Sequence, residues 1–251
     1  MQNKAIDANM QENINTIRDA GLCMGCGTCE AACPTDAIAV KCDDYRGYYL
    51  PTIDSDHCTA CGLCLDVCPG ASVDIPRLAG EFLDGMSKDG LLGRFQECYI
   101  GHASAPEIRF HAASGGLITA LLVYALENEV IDGALVLGTS QSNPLETQPY
   151  LATTPAQIIQ ASGSQYRPSA TNVGLRHILT ADGRFAAVGL PCQIHAIRKW
   201  EAVRRSLGEK IVLHLGLFCA NNNTYYGTEY FLRHSGIDPS QVYDIRYRGE
   251  G

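Results

Sequence analysis

The residues best suited to chemistry in this 251-residue chain are its twelve cysteines, eight of which stand in two runs of one spacing. Cys23, Cys26, Cys29 and Cys33 follow C-x2-C-x2-C-x3-C-P, with Pro34 closing the run. Cys58, Cys61, Cys64, Cys68 and Pro69 repeat it 35 positions later. Three thiolates on one tight loop can each reach a different iron of a cubane, while the fourth points to the opposite side. Gly25, Gly27 and Gly62 leave room for the backbone to wrap closely and aim N–H groups at sulfur. A disulfide framework suits small secreted domains that lack a core, and this chain is 46% hydrophobic and of good size. Four-cysteine zinc sites also use C-x2-C pairs, but two complete runs with trailing prolines point to 4Fe-4S clusters.

Over residues 20 to 77 the pattern resembles the bacterial two-cluster ferredoxins, in which the fourth cysteine of each run ligates the other cluster. The resemblance implies one cluster on Cys23, Cys26, Cys29 and Cys68 and a second on Cys58, Cys61, Cys64 and Cys33. The duplication extends past the ligands: "CGTC" matches "CGLC", and Ile38 and Val40 correspond to Val73 and Ile75.

The elements that follow have a different texture. "LAGEFLDGMSKDGLLGRF", rich in Gly and charge, reads as a connector. Beyond it "GGLITALLVYALENEVI" reads as a helix, "DGALVLG" and "QPYLATT" as strands, and "ATNVGLRHILTADG" as a helix. The strand "FAAVGL", the helix "QIHAIRKWEAVRRSLG" and the strand "KIVLHLGLF" complete the pattern, and "NNNTYY" reads as a loop and helix start. Alternating strands and helices predict an α/β domain with a largely parallel sheet. The expected architecture is an α+β ferredoxin-like two-cluster domain followed by a larger α/β domain. The divisions are an N-terminal extension over 1–20, the ferredoxin domain over 21–77, a linker over 78–95 and the larger domain over 96–251.

Ligands in such sheets bind at strand carboxyl ends and helix N-termini. In "AASGGLIT", Ser114 can cap a helix, and Gly115 and Gly116 can turn bare N–H groups toward an anion. "QASGSQYRPSA" sets a glycine among hydroxyls beside Tyr166 and Arg167. "VGLPCQIHAIRK" and "LGLFCANNN" put Cys192 and Cys219 at the ends of two strands. A buried free cysteine is ordinarily a small hydrophobe; two at strand ends, in a chain built around iron, suggest ligands.

The ordered set "SGGLITALL", "GSQY", "GLPCQIHAIRK", "LGLFCANN" and "RYRG" resembles the beta subunit family of coenzyme F420-reducing hydrogenase and F420-dependent formate dehydrogenase. An N-terminal ferredoxin is fused here, as in the F420H2 dehydrogenase input subunit and F420-dependent sulfite reductase. The resemblance covers about residues 92 to 250 and implies a bound FAD, a nearby 4Fe-4S cluster, and electron exchange between F420 and iron-sulfur partners. It places Ser114, Gly115, Gly116 and Thr119 on a first flavin loop, where relatives often have Asp for Ser114. Gly163, Ser164, Gln165 and Tyr166 fall on a second, where relatives often have Lys or Thr in the middle. Cys192 and Cys219 fall on two ligands of the flavin-side cluster. Relatives draw the other two from a later C-x-x-C pair, which does not occur before Gly251. The third cluster is incomplete as the sequence stands: the favoured expectation is a truncated form of a longer protein with its C-terminal part missing, the alternatives being ligands supplied from elsewhere or a lost site. Cys42 and Cys98 read as structural.

F420 and nicotinamides move hydride, clusters take single electrons, and flavin does both. The implied relay runs from F420 through FAD and a Cys192/Cys219 cluster to the paired clusters and a redox partner or complex subunit. Hydride transfer needs no acid or base, so the seven histidines, His195 and His214 among them, read as satisfied structural groups. Arg198 or Lys199 could meet a cofactor phosphate, although a solvated helix face is the default. Two alternatives remain: a flavin enzyme that takes electrons from ferredoxin to reduce an organic substrate, or a carrier subunit without catalysis.

A net charge of −8, from 19 Lys+Arg against 27 Asp+Glu, disfavours nucleic acid and anionic membrane surfaces. The start lacks the apolar run of a signal peptide. The longest apolar stretch, "LITALLVYAL", is about half the ~20 residues of a membrane helix. A cytoplasmic location is expected.

Overall fold

A computed structural model describes residues 13–140 and 143–248, without the side chains at 87 and 88. The first twelve positions of the expected extension, and the last residue of "RYRG", lie outside the described residues. The cysteine-rich half runs α1 (Ile14–Asp19), α2 (Thr28–Ala32), β1 (Ile38–Asp43), β2 (Tyr48–Ile53), α3 (Leu63–Asp66), α4 (Ile75–Phe82), β3 (Ser87–Asp89) and β4 (Gly93–Phe95). The second half continues with α5 (Pro106–His111), α6 (Leu117–Glu127), β5 (Gly133–Thr139), β6 (Thr147–Ala152), α7 (Pro155–Gln160) and a 3-10 turn (Thr171–Gly174). It closes with α8 (Leu175–Thr180), β7 (Phe185–Gly189), α9 (Pro191–Val203), α10 (Arg205–Lys210), β8 (Ile211–Gly216), α11 (Tyr225–His234) and a 3-10 turn (Pro239–Gln241).

The larger sheet has strand order β6-β5-β7-β8. β5 pairs parallel with β7 and β7 with β8, while β6 returns antiparallel along β5. β5 and β7 are almost continuously buried, as strands covered on both faces must be. The sheet is thus parallel at its centre with one antiparallel edge. The helix expected around "ATNVGLRHIL" divides into the 3-10 turn and α8. The long helix after Cys192 breaks at Arg204, whose extended backbone ends α9 and starts α10.

Gly27 and Gly62, 35 positions apart, both adopt left-handed backbone and start α2 and α3, so the sequence duplication is reproduced in structure. It stops at the strands. Ile38 opens β1, paired along β2, but Val73 lies in coil and Ile75 begins α4. Asp74 accepts from the Arg77 N–H at 3.0 Å and Pro76 sits in the first turn, two signals that favour helix over strand.

The halves share one interior. Ala31, Ala32 and Val67 from the repeat belong to the same buried cluster as Leu135, Leu175, Phe185, Trp200 and Ile211. The stretch read as a linker is docked: Leu78 is buried, and the Arg198 guanidinium lies over the Phe82 ring at 4.6 Å. Part of the expected extension folds as α1, whose Ile14 and Ile17 pack on Cys29, Cys68 and Ile38. No helix among the described residues is long and apolar enough to cross a membrane.

Candidate metal centre

The cysteine runs cross. Cys23, Cys26, Cys29 and Cys68 line one cavity together with Ile14, Val40 and Pro51. Cys33, Cys58, Cys61 and Cys64 line a second with Ile38, Ile53 and Leu63. The fourth cysteine of each run therefore faces the first three of the other. The tight turns at Gly25 and Gly27 depend on glycine: a Cβ on Gly25 would stand 2.8 Å from the Tyr49 carbonyl, and one on Gly27 would meet Val173 at 2.7 Å.

Among the described residues no three His, Cys, Asp or Glu side chains converge as a single-ion site requires. Four sulfurs line each cavity, a donor set that fits a 4Fe-4S cluster. Burial pushes the Cys23, Cys26, Cys64 and Cys68 thiols above their usual range, and Cys29 well above it. Repulsion among sulfurs adds to this; Cys68 acts on both Cys23 and Cys29. Loading a cluster must displace those protons.

The two centres have different surroundings. Cys26, Cys29 and Cys68 are buried, whereas Cys61 is exposed. Cys192 occupies the first turn of α9 beyond β7, and Cys219 follows β8. The adjacent strand ends are tied by the Leu217 N–H donating to the Gly189 carbonyl at 2.9 Å. Burial raises the Cys192 thiol to about 11, with Cys26 and then Cys219 as neighbouring charges. Cys192 thus stands within electrostatic reach of the inner cavity and of Cys219. Cys42, within β1, and Cys98 are exposed, and neither lines the two cysteine cavities.

The residues expected to bind flavin lie on two separately held loops. Gly116, with φ +75°, is the N-cap of α6, and no side chain caps that helix; the exposed Ser114 does not. Its carbonyl instead accepts from Arg109 at 2.9 Å, and the Gly115 carbonyl accepts from the Ala103 N–H at 2.6 Å. The first turn of α6 therefore keeps N–H groups without a side-chain acceptor, a fit for a phosphate-bearing cofactor. Thr119 is buried one turn on. Gly163 is exposed, Ser164 and Gln165 half-buried, and Tyr166 meets Tyr247 edge-on at 5.5 Å. The second loop is anchored by buried Arg167, which donates to the Pro144 carbonyl and to Gln165 Oε1.

Several residues near the centres carry no sequence signal of their own. Thr28 Oγ1 lies 3.4 Å from Cys26 Sγ and accepts from Asn172 Nδ2 at 2.8 Å. Asn172 also donates to the Gln193 carbonyl at 2.9 Å. Gln193 Oε1 in turn accepts the Leu190 N–H and holds the start of α9. Lys199, expected on a solvated face, is buried, with Nζ 2.6 Å from the Cys68 carbonyl. His214 bonds Glu201 at 2.8 Å, as a satisfied structural histidine should. His195 differs: its Nε2 is buried with no partner, and desolvation followed by Lys199 lowers its pKa.

Family models match three segments of the chain. These are the 4Fe-4S dicluster domain over 22–71, the N-terminal part of the coenzyme F420 hydrogenase/dehydrogenase beta subunit over 98–175, and its C-terminal part over 182–251. The chain is 33% identical over 145 residues to the beta subunit of coenzyme F420 hydrogenase from Methanosarcina barkeri, covering 56% of this chain and 50% of that protein. It is 28% identical over 250 residues to the coenzyme F420-dependent sulfite reductase of Methanocaldococcus jannaschii, covering 93% of this chain and 36% of the relative. A chain of the F420-reducing nickel-iron hydrogenase complex from Methanosarcina barkeri superposes with a TM-score of 0.55 at 29% identity, over 64% of this chain and 57% of that one. The chain spans about half the length of the curated beta subunits it matches. It belongs to the coenzyme F420 hydrogenase/dehydrogenase beta subunit family, a family of iron-sulfur oxidoreductase subunits, and carries a 4Fe-4S dicluster domain ahead of the family segment.

Proposed function

We propose that this chain exchanges electrons between coenzyme F420 and two 4Fe-4S clusters by way of FAD, and passes them singly to a redox partner or neighbouring subunit. The observation that carries the reading is the crossing of the two cysteine runs around two cavities, with Cys192 beside the inner one. Cys23, Cys26, Cys29 and Cys68 would hold one cluster and Cys33, Cys58, Cys61 and Cys64 the other. Cys192 and Cys219 would contribute two ligands to a third. The dicluster part would occupy 21–77 and the flavin part 96–251, in a cytoplasmic protein.

Bound flavin supplies the change between two-electron hydride chemistry and one-electron cluster chemistry. The chain's own residues bind, orient and insulate. The open first turn of α6 after Ser114, Gly115 and Gly116, with Thr119, would receive the cofactor's phosphates. Gly163, Ser164, Gln165 and Tyr166, braced by Arg167, would form the opposite contact. Burial of Cys26, Cys29 and Cys68 keeps water from the inner centre.

The test is an anaerobic optical spectrum of the isolated protein with iron, sulfide and flavin quantified, followed by addition of reduced F420. About eight irons, one FAD and bleaching of both chromophores are expected. Iron without flavin would leave a two-cluster carrier. Flavin that ignores reduced F420 would leave a ferredoxin-dependent reductase.

A further inference from the structure

The two centres are copies in sequence, yet the second half of the chain sends a different charge to each. Lys199 of α9 is 5% exposed and reaches the turn after Cys68. Its ammonium donates to the Cys68 carbonyl at 2.6 Å, to Ser72 Oγ at 2.8 Å and to the Ser72 carbonyl at 3.1 Å. All three acceptors are neutral, and no carboxylate lies within ion-pair distance of it among the described residues. Besides Cys68, Asp66 and Arg77 act on it electrostatically, with opposite signs. The other copy also receives a cation there. Arg176 of α8 donates to the Glu30 carbonyl at 2.6 Å, but its guanidinium is paired with the Asp36 carboxylate. One copy is approached by a cation paired with a carboxylate, the other by a cation held only by neutral acceptors.

A desolvated ammonium without a carboxylate is costly unless another anion balances it. Four thiolates around a cluster supply such an anion, and the charge deepens by one with each electron added. A fixed cation in a low-dielectric setting stabilises the reduced form, and net charge is a main determinant of cluster potential. We propose that Lys199 is a redox-tuning residue. It raises the reduction potential of the centre held by Cys23, Cys26, Cys29 and Cys68 above that of its twin, so that electrons arriving from the α/β half settle first at the inner centre. The inference rests on the reading of these cysteines as cluster ligands.

The experiment is a potentiometric titration of the full chain followed by EPR, comparing wild type with Lys199→Met and Lys199→Arg. Lys199→Met should move one of two midpoints to lower potential and leave the other in place, and Lys199→Arg should hold it near wild type. Midpoints that both stay, or both move together, in Lys199→Met would overturn the proposal. Should the methionine variant lose iron, Lys199→Gln, which keeps a donor to Cys68 and Ser72 without the charge, decides by the same criterion. Wild-type protein without iron and sulfide would overturn the ligand reading itself. Two clusters indifferent to Lys199 would overturn only the role given to the lysine.

Discussion

Asn172 Nδ2 donates to Thr28 Oγ1 at 2.8 Å across 144 positions of sequence, with both side chains buried. Through Thr28 the contact reaches Cys26 Sγ, and through the Gln193 carbonyl it reaches the residue beside Cys192. One polar path therefore joins the inner cysteine cavity to the strand-end cysteine.

Asn172→Leu removes two buried hydrogen bonds, for an expected loss of about 1–3 kcal/mol in urea unfolding. Combining it with Thr28→Val should cost less than the sum of the two single changes, by about 0.5–3 kcal/mol. Strict additivity would show that the two side chains do not act as one network.

Trp200 is fully buried in the cluster that also holds Ala31 and Val67. Trp200→Ala should destabilise by about 3–5 kcal/mol. Loss of helix by circular dichroism and loss of visible absorbance should coincide, because the core is common to both halves. A separate early bleaching would mean that the cysteine-rich half unfolds alone.

Burial raises the Cys192 thiol from about 9 to about 11. A raised pKa stabilises the fold below the unfolded value and loses that contribution as pH climbs through the folded one. Metal-free protein should therefore hold the Cys192 contribution below pH 9 and lose it between pH 9 and about 11. Cys192→Ala should flatten that part of the unfolding profile; an unchanged slope would refute the assignment.

Exposure separates the two centres. With Cys61 exposed and Cys26, Cys29 and Cys68 buried, a chelator should withdraw iron in two phases, about half of it quickly. Cys61→Ser should abolish the fast phase and lower the iron content by about four atoms. Loss of the slow phase instead would reverse the assignment of inner and outer sites.

Cysteine spacing was legible because it is a local property. Short loops limit where thiols can point, so two identical runs announce two sets of four sulfurs, and the left-handed glycines 27 and 62 repeat with them. Strands β5 and β7 were equally plain as unbroken apolar runs, since a strand covered on both faces has no polar side to show. Where helices broke was less readable: Arg204 interrupts α9 and α10 without a Gly or Pro to mark it.

The residues around the centres depend on contacts across long stretches of chain. Lys199 looked like part of a solvated face because a helix alone does not reveal what packs against it. Only the folded chain brings its ammonium to a carbonyl 131 positions away. The same holds for Asn172 and Arg176, ordinary polar residues until packing removes water from one and gives the other Asp36. Thus the ligand spacing and the motif order that carries the family resemblance follow from neighbours along the chain. Which centre lies inside, and which charge stands beside it, follows from tertiary burial, because desolvation and long-range pairing exist only once the two halves share a core.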